Sequence, residues 1–283
     1  MNLFLLLCVV ALAVAALPET SQAQAKADAR PALVYKKVGD RELKLFITNP
    51  SDWMTNDKRP ALVFFHGGGW KGGAAQQFTP QSHYFAARGL VCIQVQYRTL
   101  GASPTPPLVC VQDAKSALRY VRAHAAELGI DPNRIAAGGG SAGGHLAAFT
   151  SMVEGLDDPA DDLTISPRAQ ALLLFNPVFD NGPGGFGYER IGARYREFSP
   201  AHNISADAPP TIVFLGTADN LIPVETAQKF KADMEKVGNR CDLHLYEGAI
   251  HGFFNNPPYL EQTIAQCDKF LVSLGWLAQP VGD

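Results

Sequence analysis

One serine flanked by glycines constrains this chain more than any other feature of its sequence. Residues 136–146 read Ala-Ala-Gly-Gly-Gly-Ser-Ala-Gly-Gly-His-Leu, so Gly139–Gly143 fits the pattern G-x-S-x-G. A β-favouring segment, residues 134–137, precedes the pattern, and an apolar segment of helical character, residues 144–152, follows it. Small neighbours let the chain turn sharply from strand to helix and hold the serine Oγ out of the sheet in a strained conformation. The pattern therefore predicts that Ser141 is a nucleophile.

A glycine run after an upstream apolar strand supplies the second part of the predicted site. Residues 61–65, Ala-Leu-Val-Phe-Phe, have the composition of a buried parallel strand, and residues 66–70, His-Gly-Gly-Gly-Trp, follow it. Hydrolysis of an ester or amide passes through a tetrahedral oxyanion, which backbone N–H groups about 3 Å away stabilise. Glycines permit this close approach because they carry no side chain. We predict that the N–H groups of Gly67, Gly68 and Ala142 form the oxyanion hole, the last aided by its helix dipole.

The predicted general base is a histidine downstream of the serine. A serine nucleophile needs such a base, and after a strand–turn–helix nucleophile the chain order is Ser, then Asp or Glu, then His. His251 lies in Gly-Ala-Ile-His-Gly-Phe-Phe, a loop between a strand and the last helix, where the base is expected. His202, in a loop after Ser-Pro-Ala, and His244, which alternates with leucines in a strand, are the other candidates.

An aspartate after another buried strand is the predicted partner of that histidine. Residues 211–216, Thr-Ile-Val-Phe-Leu-Gly, are predicted to form a strand, and Asp219 lies just past its carboxyl end. Ligands in open parallel sheets gather at the carboxyl ends of the strands, so this carboxylate is expected beside the serine and the histidine. Glu225 and Glu247 are the alternative acids.

Eight short motifs occur together between residues 60 and 274. They are His66-Gly-Gly-Gly-Trp, Gln96-Tyr-Arg, Asp113 with the helix after it, Gly129-Ile-Asp-Pro-Asn-Arg-Ile, Gly139-Gly-Ser-Ala-Gly-Gly-His, Phe198-Ser-Pro, Gly216-Thr-Ala-Asp and His251-Gly-Phe. In aggregate they resemble the α/β-hydrolase esterases and lipases with an HGGG oxyanion loop, the hormone-sensitive-lipase-like group. Within that group the chain is similar to the feruloyl-esterase and acetylxylan-esterase branch. The resemblance implies an α/β-hydrolase fold and hydrolysis of carboxylic esters by Ser141, Asp219 and His251.

The chain departs from this family at two positions. The residue before the serine is usually Asp or Glu in the family and is Gly140 here. The residue after the acid is usually Pro and is Asn220 here. Neither change removes a residue of the predicted triad.

Length and composition fit one domain of this kind. The 283 residues, 47% of them apolar, can bury one large core, and strand and helix patterns alternate along the chain. We therefore expect a single α/β domain over residues 26–283, with a mostly parallel central sheet, helices on both faces and a minimal cap. The net charge of −3 argues against a nucleic-acid partner, and no ligand spacing indicates a metal or other cofactor.

Residues 1–25 are predicted to be a signal peptide. Residues 3–17 are apolar but too short for a membrane span, and Ala23-Gln-Ala25 is a small-residue cleavage site. Cleavage would leave a secreted or periplasmic protein without a membrane span. Its remaining cysteines would permit up to two disulfides in three pairings. They are Cys92, Cys110, Cys241 and Cys267.

The walls of the substrate pocket are predicted from aromatic residues near the motifs. Trp70 follows the oxyanion loop and Phe253 follows the base, so both are expected to bind substrate. Phe186, Tyr188 and Phe254 are further aromatic candidates for the pocket wall. Two strands predicted within residues 33–48 leave no space for a large N-terminal cap, and residues 176–203 are the expected cover of the site. Such an open site suits short acyl esters of a small alcohol or of a polysaccharide, acetyl and feruloyl groups included.

Two other functions share parts of this pattern. A serine peptidase of the prolyl-oligopeptidase-like kind has the same fold and order of triad residues, but it normally carries a β-propeller, for which this chain leaves no space. A non-catalytic binding protein on a hydrolase scaffold usually loses triad residues, whereas this chain keeps all three candidates. A secreted serine carboxylesterase is therefore the favoured interpretation.

Overall fold

An eight-stranded sheet lies at the centre of the computed structural model, which describes residues 32–279. The strands are β1 (Ala32–Val38), β2 (Arg41–Thr48), β3 (Arg59–Phe65), β4 (Val91–Val95), β5 (Ile130–Gly140), β6 (Ala171–Phe175), β7 (Thr211–Gly216) and β8 (Cys241–Tyr246). Their order in space is β1-β2-β4-β3-β5-β6-β7-β8. The β1–β2 and β2–β4 pairs are antiparallel and the five remaining pairs are parallel. This mostly parallel sheet confirms the predicted α/β-hydrolase fold.

Helices connect the parallel strands. Among the described residues they are α1 (Thr79–Ala87), α2 (Leu108–Ala123), α3 (Ala142–Met152), α4 (Tyr188–Ile191), α5 (Val224–Lys236) and α6 (Tyr259–Ser273). Short 3₁₀ helices cover Ala75–Phe78, Gly192–Glu197, Pro200–His202 and Phe253–Asn255. No helix within residues 32–279 has both the length and the apolar character that crossing a membrane requires.

Strand β3 illustrates how the helices cover both faces of the sheet. Val63 and Phe65 belong to a buried cluster that includes residues of α2, α3 and α5. Leu62 and Phe64, which point to the opposite face, belong to a second cluster that includes residues of α1 and α6. A strand buried on both sides must be apolar at every position, which explains the continuous apolar run in the sequence.

Helix α2 begins earlier than the sequence predicts. Apolar residues at helical spacing after Asp113 predict a helix from Asp113 to Leu128, whereas the helix spans Leu108–Ala123. Asp113 lies within it and is fully buried. Its carboxylate is paired with the Arg98 guanidinium at 2.7 Å and with the Lys36 ammonium at 2.9 Å. A buried charge of this kind is stable only when it is paired, and neither partner is near Asp113 in sequence.

The four described cysteines are free thiols, so the disulfides that the sequence permits are not formed. Each thiol is buried on a different element: Cys92 on β4, Cys110 on α2, Cys241 on β8 and Cys267 on α6. Burial raises the pKa of all four thiols, which keeps them protonated. They are therefore core residues and not reactive groups.

The predicted signal peptide, residues 1–25, lies outside the described residues and stays a prediction. The same holds for the start of the predicted mature domain at residue 26. The eight strands that carry the candidate site all lie within residues 32–279.

Candidate active site

Ser141 occupies a strained turn between a strand and a helix. Strand β5 ends at Gly140 and α3 begins at Ala142, with Ser141 between them at φ 54° and ψ −119°. A positive φ is unfavourable for a residue with a Cβ and persists only where the surroundings impose it. The Ser141 N–H donates to the carbonyl of Phe175 on the neighbouring strand at 2.9 Å, which helps to hold the turn. The predicted strained strand–helix turn is confirmed.

The glycines around the serine are required by close packing. A Cβ on Gly139 would come within 2.4 Å of the Gly143 carbonyl carbon, and a Cβ on Gly143 within 2.1 Å of the Phe65 carbonyl oxygen. Real Cβ atoms do not approach other atoms so closely, so neither position accepts a larger residue without movement of the backbone. The first turn of α3 therefore packs directly on the end of β3, which places the nucleophile beside the glycine run that follows β3.

His251 and Asp219 form a partly buried hydrogen-bonded pair. The Nδ1 atom of His251 lies 2.7 Å from Asp219 Oδ2. The other carboxylate oxygen, Oδ1, accepts hydrogen bonds from the N–H groups of Leu221 at 2.8 Å and Ile222 at 3.0 Å. Burial acts to raise the pKa of Asp219, but the hydrogen bonds from His251 and the two N–H groups outweigh it, and the pKa is lowered. The carboxylate is thus ionised and fixed to orient the imidazole.

Ser141 and His251 line one cavity of about 220 Å³ at the carboxyl edge of the sheet. The other residues lining it are Gly67, Gly68, Gly69, Gln77, Gly140, Asn176, Phe186, Leu221, Gly252, Phe254 and Asn255. Within residues 32–279, the Ser141 hydroxyl forms no hydrogen bond with a protein group, and His251 Nε2 lies 3.4 Å from the Asn176 amide nitrogen. The cavity therefore holds both the predicted nucleophile and the predicted base.

The alternative bases and acids lie elsewhere. His202 contacts the Ser199 hydroxyl at 2.9 Å, and His244 stacks on Phe214 in the sheet at 5.5 Å between ring centroids. Neither histidine lines the cavity, and neither do Glu225 and Glu247. The structure therefore brings together the favoured serine, aspartate and histidine and leaves the alternatives apart.

The glycine loop after β3 offers different N–H donors from those predicted. The Gly67 N–H donates to Gln77 Oε1 at 2.6 Å and is therefore occupied, which corrects its assignment to the oxyanion hole. Gly68 and Gly69 both line the cavity, and their N–H groups have no acceptor within residues 32–279. Ala142 is the first residue of α3, so its N–H has no partner inside the helix. Gly68, Gly69 and Ala142 are thus the available donors.

His66 stabilises the glycine loop and does not line the cavity. Its ring stacks on Tyr97 with centroids 4.1 Å apart, and the Tyr97 hydroxyl donates to the His66 carbonyl at 2.7 Å. Burial lowers the pKa of His66, so the ring is neutral and its Nδ1–H donates to the Gly67 carbonyl at 2.7 Å. A Cβ on Gly68 would meet the Gly72 carbonyl oxygen at 2.3 Å, so the tight turn requires a glycine there.

Trp70 and Phe253, the predicted substrate-binding residues, do not line the cavity, which corrects that prediction. Trp70 is fully buried, and its ring packs edge-on against His145 with centroids 5.1 Å apart. Phe253 packs against Tyr246 and Tyr259 in the second core cluster. The turns of the two loops direct the rings of Trp70 and Phe253 into the core.

Phe186 and Phe254 form the aromatic walls of the cavity. Phe186 belongs to the segment 176–203 that was expected to cover the site, and this segment does contribute to the cavity. The sequence predicts a helix over Tyr188–Phe198 in this segment, whereas α4 ends at Ile191 and a 3₁₀ helix spans Gly192–Glu197. Arg190 on α4 donates to the Gly69 carbonyl at 3.0 Å, so the segment is bound to the glycine loop.

Gln77 and Asn176 are polar residues that line the site and belong to none of the sequence motifs. Asn176 directly follows the apolar run of β6, so the rule that polar residues at the carboxyl ends of buried strands face the site would have identified it. Gln77 lies in a 3₁₀ helix, where the sequence gives no comparable signal.

The sheet, the strained serine turn and the paired histidine and aspartate define an α/β-hydrolase. The BD-FAE family matches residues 47–180 and the dienelactone hydrolase family matches residues 194–281. The chain is 32% identical over 202 residues to the probable carboxylic ester hydrolase LipM of Mycobacterium tuberculosis, an alignment that covers 64% of this chain and 46% of LipM. It thus spans about half the length of that curated relative.

A solved esterase covers the chain more fully. The apo form of Thermogutta terrifontis esterase 2 superposes with a TM-score of 0.85 at 49% identity, over 89% of this chain and 97% of that protein. The same esterase with propionate bound gives a TM-score of 0.84 at 48% identity, over 89% and 96% of the two chains. The chain belongs to the α/β-hydrolase esterases of the hormone-sensitive-lipase-like family.

Proposed function

We propose that this protein is a serine carboxylesterase that hydrolyses short-chain acyl esters through an acyl-enzyme on Ser141. The observation that carries the proposal is the Asp219–His251 pair, with 2.7 Å between the hydrogen-bonded atoms. The histidine of this pair lines the same cavity as the strained Ser141. A serine needs a base to become a nucleophile, and the base needs an orienting carboxylate. These three residue types meet at the edge of the sheet where parallel folds bind ligands.

The first half of the proposed reaction transfers the acyl group to the enzyme. His251 Nε2 accepts the Ser141 hydroxyl proton while Oγ attacks the ester carbonyl carbon. In this proposal the carbonyl oxygen becomes an oxyanion, which the N–H groups of Gly68, Gly69 and Ala142 stabilise. The imidazolium then gives its proton to the alcohol oxygen as the C–O bond breaks and the alcohol leaves.

The second half repeats these steps with water. His251 removes a proton from water, which attacks the acyl-enzyme carbonyl. As the tetrahedral intermediate collapses and its bond to Ser141 Oγ breaks, His251 returns that proton to Oγ. Asp219 stays ionised throughout and stabilises the imidazolium, in keeping with its lowered pKa. A carboxylic acid is released and the resting enzyme is restored.

The size of the cavity supports short acyl groups. About 220 Å³ is available between the serine, the glycine loop and the rings of Phe186 and Phe254. A long acyl chain gains about 0.8 kcal/mol per methylene only where an apolar channel receives it. Propionate and butyrate, the acids bound in structures of the Thermogutta esterase, are of the size that this cavity suits.

The proposal also covers the natural ester substrate and the location of the protein. We propose that the protein is secreted or periplasmic after cleavage near Ala25, and that acetyl or feruloyl groups on polysaccharide are among its substrates. Sequencing the N-terminus of protein from its native host tests the first part, and an intact Met1 would contradict it. Release of acetate from acetylated xylan tests the second part.

A substrate panel on wild-type protein and Ser141→Ala tests the main proposal. We expect p-nitrophenyl acetate and butyrate to be hydrolysed, aminoacyl-p-nitroanilides to be left intact, and kcat to fall by on the order of 10⁴ in the variant. A fluorophosphonate should label the wild-type protein at Ser141 and leave the variant unlabelled. Hydrolysis of the anilides alone would indicate a peptidase, and labelling that persists in the variant would place the nucleophile elsewhere.

A further inference from the structure

Asn176 lies at the centre of the candidate site, although none of the sequence motifs includes it. It directly follows β6, its side chain is fully buried, and its backbone has a φ of 34°. Its backbone N–H donates to the carbonyl of Phe214 on the adjacent strand at 2.7 Å. Among residues with a Cβ, Asn and Asp tolerate such backbone angles best, so the fold holds a carboxamide at a fixed place against the histidine loop.

The hydrogen bonds of Asn176 determine which end of its amide faces His251. The Gly252 N–H can only donate, and it lies 2.9 Å from Asn176 Oδ1. The amide nitrogen therefore faces His251 Nε2, at 3.4 Å. Because an amide N–H₂ can only donate, Nε2 must be the unprotonated nitrogen of the ring, and the ring proton lies on Nδ1.

The same tautomer follows from the other side of the ring. Asp219 is ionised and accepts from Nδ1 at 2.7 Å, so Nδ1 must carry a proton. Two independent contacts thus select the neutral form of His251 in which Nε2 carries no proton, the form that a general base requires. We propose that Asn176 is a positioning residue that anchors the histidine loop through Gly252 and holds His251 in this tautomer.

Asn176 also affects the protonated form of the ring. A proton on Nε2 would face the Asn176 N–H₂ group, so two donors would point at each other. Asp219 is the charged side chain in contact with His251, and the residues lining the cavity include no carboxylate, lysine or arginine. The acid limb of the pH profile of kcat/KM, where activity falls as pH is lowered, should therefore move when residue 176 is replaced.

Asn176→Asp reverses this contact while keeping the anchor. The new carboxylate still accepts from the Gly252 N–H, but it attracts a proton to Nε2. We expect the acid limb of kcat/KM for p-nitrophenyl acetate to move to higher pH by about one unit or more, so that activity on the acid side falls about tenfold. Asn176→Ala should lower Tm because it removes the acceptor for the Gly252 N–H. Asn176→Asp keeps an acceptor there, so its Tm should be higher than that of Asn176→Ala, while its activity at neutral pH should stay below that of the wild type.

Asn255→Ala is the matched control. Asn255 Nδ2 donates to the Gly252 carbonyl at 2.8 Å, so this change loosens the same loop without touching Nε2. We expect its acid limb to stay at the wild-type pH even if kcat falls. If Asn176→Asp keeps the wild-type limb, or if Asn255→Ala moves it equally, Asn176 acts on the loop alone and the proposal is wrong.

A second measurement does not depend on activity, although the inference itself rests on the proposed role of His251. ¹⁵N spectra of histidine-labelled protein, with the His251 signals assigned by their loss in His251→Gln, should show a protonated Nδ1 and an unprotonated Nε2. Asn176→Asp should show both nitrogens protonated at the same pH. An Nε2–H tautomer in the wild type would overturn the proposal. An inactive wild type with the expected spectrum would instead contradict the esterase function.

Discussion

Gly140 packs against the ring of Phe254, and a Cβ at position 140 would lie 2.4 Å from the ring's Cζ atom. The residue before the serine is usually acidic in the family that this chain resembles, so the ring occupies the space that such a side chain would take. Phe254 is itself buried and stacks near Phe78 and Phe175. The departure at Gly140 and the aromatic wall of the cavity are therefore one feature of the packing.

Gly140→Ala should destabilise the protein because the buried ring has little room to move. We expect the free energy of unfolding to fall by about 1–3 kcal/mol, as for overpacked cores, in urea denaturation. Gly72→Ala is the control, since a Cβ at Gly72 meets no atom within 4 Å. Phe254→Leu should relieve part of the cost in the double variant, and strictly additive costs would contradict the packing argument.

Asp219→Asn should disable the base by changing its tautomer. The Leu221 and Ile222 N–H groups require an oxygen at Oδ1, so the new amide nitrogen would face His251 Nδ1 and donate to it. The ring proton then moves to Nε2, which can no longer accept from Ser141. We expect kcat to fall on the order of 10⁴ at neutral pH, as for the same change in other serine triads.

The control for that change is Asp180→Asn, because Asp180 contacts the Gly182 N–H and lies near His202 instead. Its esterase activity should stay within about tenfold of wild type. If Asp219→Asn also stays in that range, another carboxylate orients the base, and Glu225 and Glu247 would be tested next.

His145 should make the stability of the protein depend on pH. It is fully buried, with Nε2 2.9 Å from the Phe198 carbonyl oxygen, and burial lowers its pKa to about 4. The unfolded chain, with a pKa of about 6.5, binds the proton first as pH falls. Stability is therefore lost between about pH 6.5 and 4, by about 3 kcal/mol in total.

Denaturation curves at several pH values check this dependence. His145→Gln should have a smaller slope of unfolding free energy against pH in that window, whatever its stability at pH 7. His83→Gln, which alters an exposed histidine, should keep the wild-type slope. Equal slopes in all three proteins would show that His145 is accessible to protons in the folded state.

The sequence predicted those parts of the site that depend on short local patterns. Ser141 needs glycines on both sides, and Asp219 and His251 each follow an apolar strand, so their positions could be read from a few neighbouring residues. The parallel sheet then brings the strand ends to one edge. The pairing of His251 with Asp219 was predicted from chain order and appears in the structure as a hydrogen bond.

The other features of the site depend on how its loops fold back on one another, which short local patterns do not reveal. Gln77 reaches Gly67 only because its 3₁₀ helix folds over the glycine loop, and this contact decides which N–H groups stay free. Trp70 and Phe253 are adjacent in sequence to site residues, yet their rings point into the core. The direction of a side chain from a loop depends on backbone angles such as the φ of 60° at Trp70, which composition does not reveal.

Phe186 should limit the length of the acyl chain. Wild-type activity on p-nitrophenyl esters should peak between acetyl and butyryl and fall for octanoyl, because the cavity is only about 220 Å³ and this ring forms part of its wall. Phe186→Ala should move the maximum to longer chains, with a gain of up to about fourfold in kcat/KM for each methylene newly buried, the equivalent of 0.8 kcal/mol. Phe253→Leu is the control, since Phe253 lies in the core and should affect stability alone. A wild-type maximum at decanoyl, or an equal shift in both variants, would mean that another wall limits the chain.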